Sequence, residues 1–98
     1  MEADPRRRAV GRAATGTASA LSGEQYLSEA KVPLAQARHI ALKTYPGKIV
    51  SQELEKESGG SGLRYSFVIR HEKVKHEVGV DAKTGDVLEN SIESEHSE

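Results

Sequence analysis

The residue types best suited to chemistry in this chain are two histidines, His71 and His76, on either side of the tetrapeptide Glu72-Lys73-Val74-Lys75. If that tetrapeptide is a four-residue loop, the imidazoles face each other on adjacent strands and reach one transition-metal ion; with a two-residue loop they lie diagonally. A third ligand would have to come from Glu72 or Glu77, and strand alternation turns both to the opposite face. The commoner meaning of such a pair is a hairpin end whose histidines are solvated or packed at the sheet margin. Metal or small-ligand sensing through His71 and His76 is therefore the alternative function, not the leading one. His39, on the polar side of a helical segment, and His96, near the C-terminus, have still less around them.

Other reactions lack their parts. There is no cysteine, no Gly-x-Ser-x-Gly elbow, and no serine that the sequence puts beside a histidine and an acid. Carboxylates crowd "ELEKE" (53–57), but such a run ordinarily means a charged, exposed strand face. "SGGSG" (58–62) has neither the lysine nor the strand-to-helix setting of a phosphate loop. A formal net charge of −1 gives no basic field for nucleic acid, and Arg6, Arg7, Arg8 and Arg12 have no aromatic residues among them. These patterns predict a protein that is not an enzyme, needs no cofactor and binds another protein. Its candidate binding edge is the strand carrying Ser51, Glu53 and Glu55. An extended segment can add to such an edge through backbone hydrogen bonds, and the carboxylates favour a basic partner, although they also guard an edge against self-association.

The elements that would hold this edge follow from periodicity. Ser22-Gly23-Glu24-Gln25 fits a capping box, and Tyr26, Leu27 and Ala30 follow at helical spacing, which predicts a short helix. Val32-Pro33 stops it and starts another. From Pro33 to Tyr45, Leu34, Ala37, Ile40, Ala41 and Thr44 form an apolar stripe that Leu42 and Tyr45 widen; Gln36, Arg38, His39 and Lys43 fall outside it. Pro46-Gly47 ends that helix. In "KIVSQELEKE" the alternation puts Val50, Gln52 and Leu54 on one face and Ile49, Ser51, Glu53 and Glu55 on the other. "LRYSFVIRH" turns Leu63, Tyr65, Phe67 and Ile69 one way and Arg64, Ser66 and Arg70 the other. His76, Val78 and Val80 mark a third strand, and "DVLENSIE" a fourth, after a turn at Asp81 to Gly85.

The predicted fold is α+β: one main helix packed on a three- to four-stranded antiparallel meander, with a short helix before it. Residues 1–21 are expected as a disordered tail, 22–92 as the folded domain and 93–98 as a disordered acidic tail. A body of that size hides only about 60% of its chain's surface, and without cysteines it has no covalent staple. No apolar run approaches the roughly 18 residues that span a bilayer, so no membrane insertion is expected. The basic start and Ala18-Ser19-Ala20 hint at a signal peptide, but "AVGRAATGTASA" is too poor in large apolar residues for its hydrophobic region.

"EAKVPLAQARHIALKTYPGKIVSQELEKE", the strand around "YSFVI" and above all "VGVDAKTGDVLE" together resemble the PepSY domain, found in propeptides of secreted metallopeptidases and in small bacterial envelope proteins. The likeness covers about residues 29 to 92. It departs from the pattern at Pro33, where a Ser or Thr cap is usual, at Arg38, usually apolar, and in the missing export signal. The resemblance implies a helix on an antiparallel sheet, a periplasmic or secreted location, and inhibition or regulation of a peptidase. It implies no catalytic residues: Val78 and Val80 would be core, Asp81 and Thr84 would bond turn backbone, and Gly85 would take the left-handed conformation.

Overall fold

The computed structural model describes residues 20–95. One amphipathic helix, α1 (Leu34–Thr44), seals one face of a sheet. Pro33 precedes it in an extended conformation (φ −65°, ψ 154°), where a residue without an N–H loses nothing. Pro46 ends it, because the ring of a proline forces the residue before it, here Tyr45, out of helical geometry. Ala37 and Ala41 are fully buried, and Leu34, Ile40 and Leu42 pack partly against the core. Two alanines at the contact let the helix lie close to the strands.

The sheet has five strands in the order β1 (Leu21–Ser22), β2 (Lys48–Lys56), β3 (Leu63–His71), β4 (Val74–Asp81) and β5 (Val87–Glu95). Strands β2 to β5 form the expected antiparallel meander, but β1 joins β2 in parallel, Leu21 beside Gln52 and Ser22 beside Glu53. The sheet is therefore mixed and five-stranded, not a three- to four-stranded antiparallel one. A two-residue strand is too short to show alternation, and its partner lies far along the chain, so no local pattern marks it. Ser22 accordingly caps no helix. Gly23 turns the chain after β1 with φ 83° and lies so close to the Leu54 carbonyl that a Cβ would collide with it. The short helix that follows, Glu24–Glu29, is a 3-10 helix without a side-chain cap.

The strands differ from expectation in further details. A bulge between Ile49 and Ser51 interrupts the alternation of β2, so Ile49 is buried opposite Ile69 while Gln52 and Leu54 keep the core face. Arg64 and Ser66, on the face of β3 away from α1, are nonetheless buried, because polar neighbours on β2 and β5 fold over them. The β3–β4 reversal is Glu72-Lys73, since His71 pairs with Val74. Glu72 adopts φ 59° there, doing the work of the glycine or asparagine that the sequence lacks. At the other end β5 runs on to Glu95, so Glu93–Glu95 extend the last strand. Arg6, Arg7, Arg8, Arg12 and His96 lie outside the described residues.

Leu54, Leu63, Tyr65, Phe67, Ile69, Val78, Val80 and Ala82 form the sheet side of the core. The buried Tyr65 phenol donates to the Val32 carbonyl at 2.7 Å, and the Lys31 and Val32 amides donate to the Ala82 carbonyl, both at 2.9 Å. These bonds pin the entry to α1 across the β4 end, and they satisfy a phenol that would otherwise be costly to bury.

Candidate functional site

The most strongly organised polar group is Asp81, at the end of β4. Its carboxylate accepts the Ser61 amide (2.7 Å) and hydroxyl (2.7 Å), the Lys83 amide (2.8 Å) and the Thr84 amide (3.1 Å). Burial by itself would raise its pKa; the four donors outweigh that and hold it at about 2. Thr84 Oγ1 in turn accepts the Asp86 amide at 3.2 Å, and Gly85 takes φ 86°. Asp81 thus ties the glycine-rich loop 58–62 to the 81–85 turn. With four donors spent on it, the carboxylate is a structural clamp.

His71 and His76 come together on the core-facing side of the sheet, in the diagonal arrangement that a two-residue turn dictates. Between them lies Tyr45, the residue that ends α1. Its ring stacks on His76 and meets His71 edge-on, with centroids 6.3 Å apart. His76 Nδ1 is 2.8 Å from Asn90 Oδ1, and the Tyr45 hydroxyl donates to the Val74 carbonyl at 3.3 Å. His71 Nε2 lies 3.9 Å from the Glu72 carboxylate. Among the described residues no group of three His, Cys, Asp or Glu has metal-binding geometry. The pair instead closes the hairpin end of the core.

Ser51, Glu53 and Glu55 belong to the face of the sheet opposite α1. The middle of their own edge is already taken by β1, at Gln52 and Glu53. The register builds this outer face in rows: Glu55 beside Arg64; Glu53, Ser66, Gly79 and Glu89; Ser51, Val68, Glu77 and Ser91; and last Lys48, Arg70 and Lys75. Arg64 lies across Gly79, donates through Nη1 to Glu89 Oε1 and through Nη2 to the Ser58 carbonyl, both at 3.3 Å. Ser66 Oγ donates to Glu55 Oε2 at 2.7 Å. Burial first, then repulsion from neighbouring carboxylates, raises the pKa values of Glu53 and Glu77 above the usual range. Sequence reasoning missed this polarised face because strand parity says which residues share a side but not which lie opposite each other.

A family model described as "Peptidase propeptide and YPEB domain" matches residues 31–90, more than half of the 98-residue chain. The chain belongs to the PepSY family. The match takes in α1, β2, β3, β4, the Asp81 turn and the start of β5; β1 and the 3-10 helix lie before it, which is why a likeness to the PepSY pattern did not announce the fifth strand. Comparison with curated proteins and with solved structures returned no match. No helix among the described residues of this PepSY protein is long and apolar enough to cross a membrane.

Proposed function

We propose that this PepSY protein is a non-catalytic module that binds a peptidase outside the cytoplasm and inhibits or regulates it. Membership of a family described by its peptidase propeptides carries the reading. The organisation of polar groups supports it: the best-ordered carboxylate, Asp81, is consumed in holding a turn, and the two histidines are consumed in closing the core. Among the described residues β5 is paired only by β4, so its outer edge gives a partner a place to add, and Val87 and Ile92 stand exposed along it. Carboxylates at Glu89 and Glu93 beside that edge favour a basic segment.

The test is an inhibition assay of the purified chain against a panel of secreted metallopeptidases, with complex formation followed by size-exclusion chromatography. The reading predicts saturable inhibition of at least one enzyme and a weaker effect for Ile92→Asp. No complex and no inhibition at about 100 μM, a concentration at which even a weak specific interface of roughly 6 kcal/mol would be visible, refutes it.

A further inference from the structure

The outer face of the sheet is electrically divided along the strands. At the β3–β4 hairpin end, Lys48, Arg70 and Lys75 stand directly opposite one another on three adjacent strands. Like charges opposite each other in a sheet destabilise it. Among the described residues none of these three side chains has a hydrogen bond or an ion pair to relieve the repulsion. Toward the other end the same face carries Glu53, Glu55 and Glu89, with Arg64 alone among them, while Glu77 stands in the row between. Glu57 follows just past β2. The Glu57 carboxyl is held above its usual range by a hydrogen bond with Glu55 and by that residue's charge, against the opposing pull of Arg64. Each end therefore carries an excess of one sign, the basic row's three cations outnumbering Glu93, which stands in the β5 bulge beside Lys75.

The two ends are spaced for pairing. From Arg70 to Ser66, whose row holds Glu53 and Glu89, is about 13 Å along the strand at roughly 3.3 Å per residue. The row between them is of lower relief: Val68 lies between Ser51 and Glu77, with Ser91 beyond. Gly79 has no side chain, and the Arg64 side chain passes over it. Such a surface can come within the roughly 10 Å at which sheets stack.

We infer that this face pairs with the same face of a second copy of the chain, related to the first by a half revolution about an axis that lies in the plane of the sheet and runs across the strands. The Lys48, Arg70 and Lys75 row of each copy then lies over the Glu53, Glu55 and Glu89 end of the other, and the Glu77 rows meet near the axis. A second copy is the partner whose charge layout is on the page, and a half revolution makes that layout its own complement. The contact is isologous and closes at a dimer. Four strands about 4.8 Å apart and about six residues long give on the order of 400 Å² per copy, half of the roughly 800 Å² per partner of a standard interface. The dimer is consequently weak, and screening of its exposed charges makes it salt-sensitive.

Analytical ultracentrifugation of the full chain tests this, and it needs no peptidase, so its outcome is separable from that of the inhibition assay. We expect dimer between about 10 μM and 1 mM chain at low salt, and at least a roughly tenfold weaker association in about 0.5 M NaCl. Lys48→Glu/Arg70→Glu and Glu53→Lys/Glu55→Lys each abolish self-association, while an equimolar mixture of the two forms a heterodimer. A measurement on the unaltered chain guards against a variant that fails to fold. Carbodiimide coupling of a mixture of isotopically light and heavy chains links Lys48 or Lys75 of one copy to Glu53, Glu55 or Glu77 of the other. A monomer at about 1 mM in low salt, a dimer indifferent to salt, or intermolecular links confined to other residues overturns the inference.

Discussion

The Tyr45 ring lies flat on the His76 imidazole, with centroids 3.7 Å apart and planes within 3° of parallel. Tyr45 ends α1 and His76 sits near the hairpin end of β4, so the stack joins the C-terminus of the helix to the β3–β4 end of the sheet. It also explains why two histidines near a hairpin have a packing role. The expected coupling between the two rings in a double-mutant cycle of Tyr45→Ala and His76→Ala is about 1 kcal/mol, the size of aromatic pairs beyond their area burial. Urea unfolding of the four proteins measures it. Additive losses would show that the rings touch without contributing to stability.

Asp81 governs the acid limb of stability. Its folded-state pKa of about 2 lies below its ordinary 3.8, so the stabilisation is complete above the ordinary value and is lost as pH falls from about 4 through 2. The amount at stake is on the order of 2 kcal/mol. Glu53 and Glu77 act in the other direction, since protonation relieves carboxylates whose pKa is raised. Asp81→Asn isolates the first effect: it should lower stability at pH 7 and flatten the decline between pH 4 and 2, as followed by thermal unfolding across that range. An unchanged acid limb would separate Asp81 from it.

Two turns make opposite demands on the residue at positive φ. Glu72 occupies such a position at φ 59°, where a side chain is strained, so Glu72→Gly should raise stability by about 0.5–1 kcal/mol. Gly85 already holds its position at φ 86°. A Cβ there would make ordinary contacts with Ile40 Cδ1 (3.6 Å) and Val32 Cγ2 (3.9 Å), so the penalty for Gly85→Ala is conformational and not a clash. We expect a loss of about 1–2 kcal/mol by chemical denaturation. The same sign of change in both variants would mean that backbone conformation does not control either turn.

Zinc should bind His71 and His76 only weakly. His76 Nδ1 is engaged by Asn90, both rings lie against Tyr45, and no third ligand of the right type is grouped with them among the described residues. Calorimetric titration should give a dissociation constant weaker than about 10 μM. Submicromolar binding that disappears in His71→Ala would instead favour metal sensing as the function.

What the sequence alone determined was everything set by local period and turn chemistry. Pro33 and Pro46 bracket α1, because proline constrains its own φ and the residue before it. Leu63, Tyr65, Phe67 and Ile69 are all buried because a strand alternates and one face of this sheet is sealed. The "VDAKTGD" turn was legible from Gly85 and Asp81, whose side chain and φ requirements are local. The tertiary structure decided what depends on neighbours distant in sequence. The pairing of Leu21 with Gln52 is made across the fold, so β1 has no signature of its own. One bulged residue in β2 reverses the parity of what precedes it, which moves Ile49 into the core. Only register places Lys48, Arg70 and Lys75 in one row, or Arg64 between Ser58 and Glu89, because charges scattered along a chain become a surface only when strands are laid side by side.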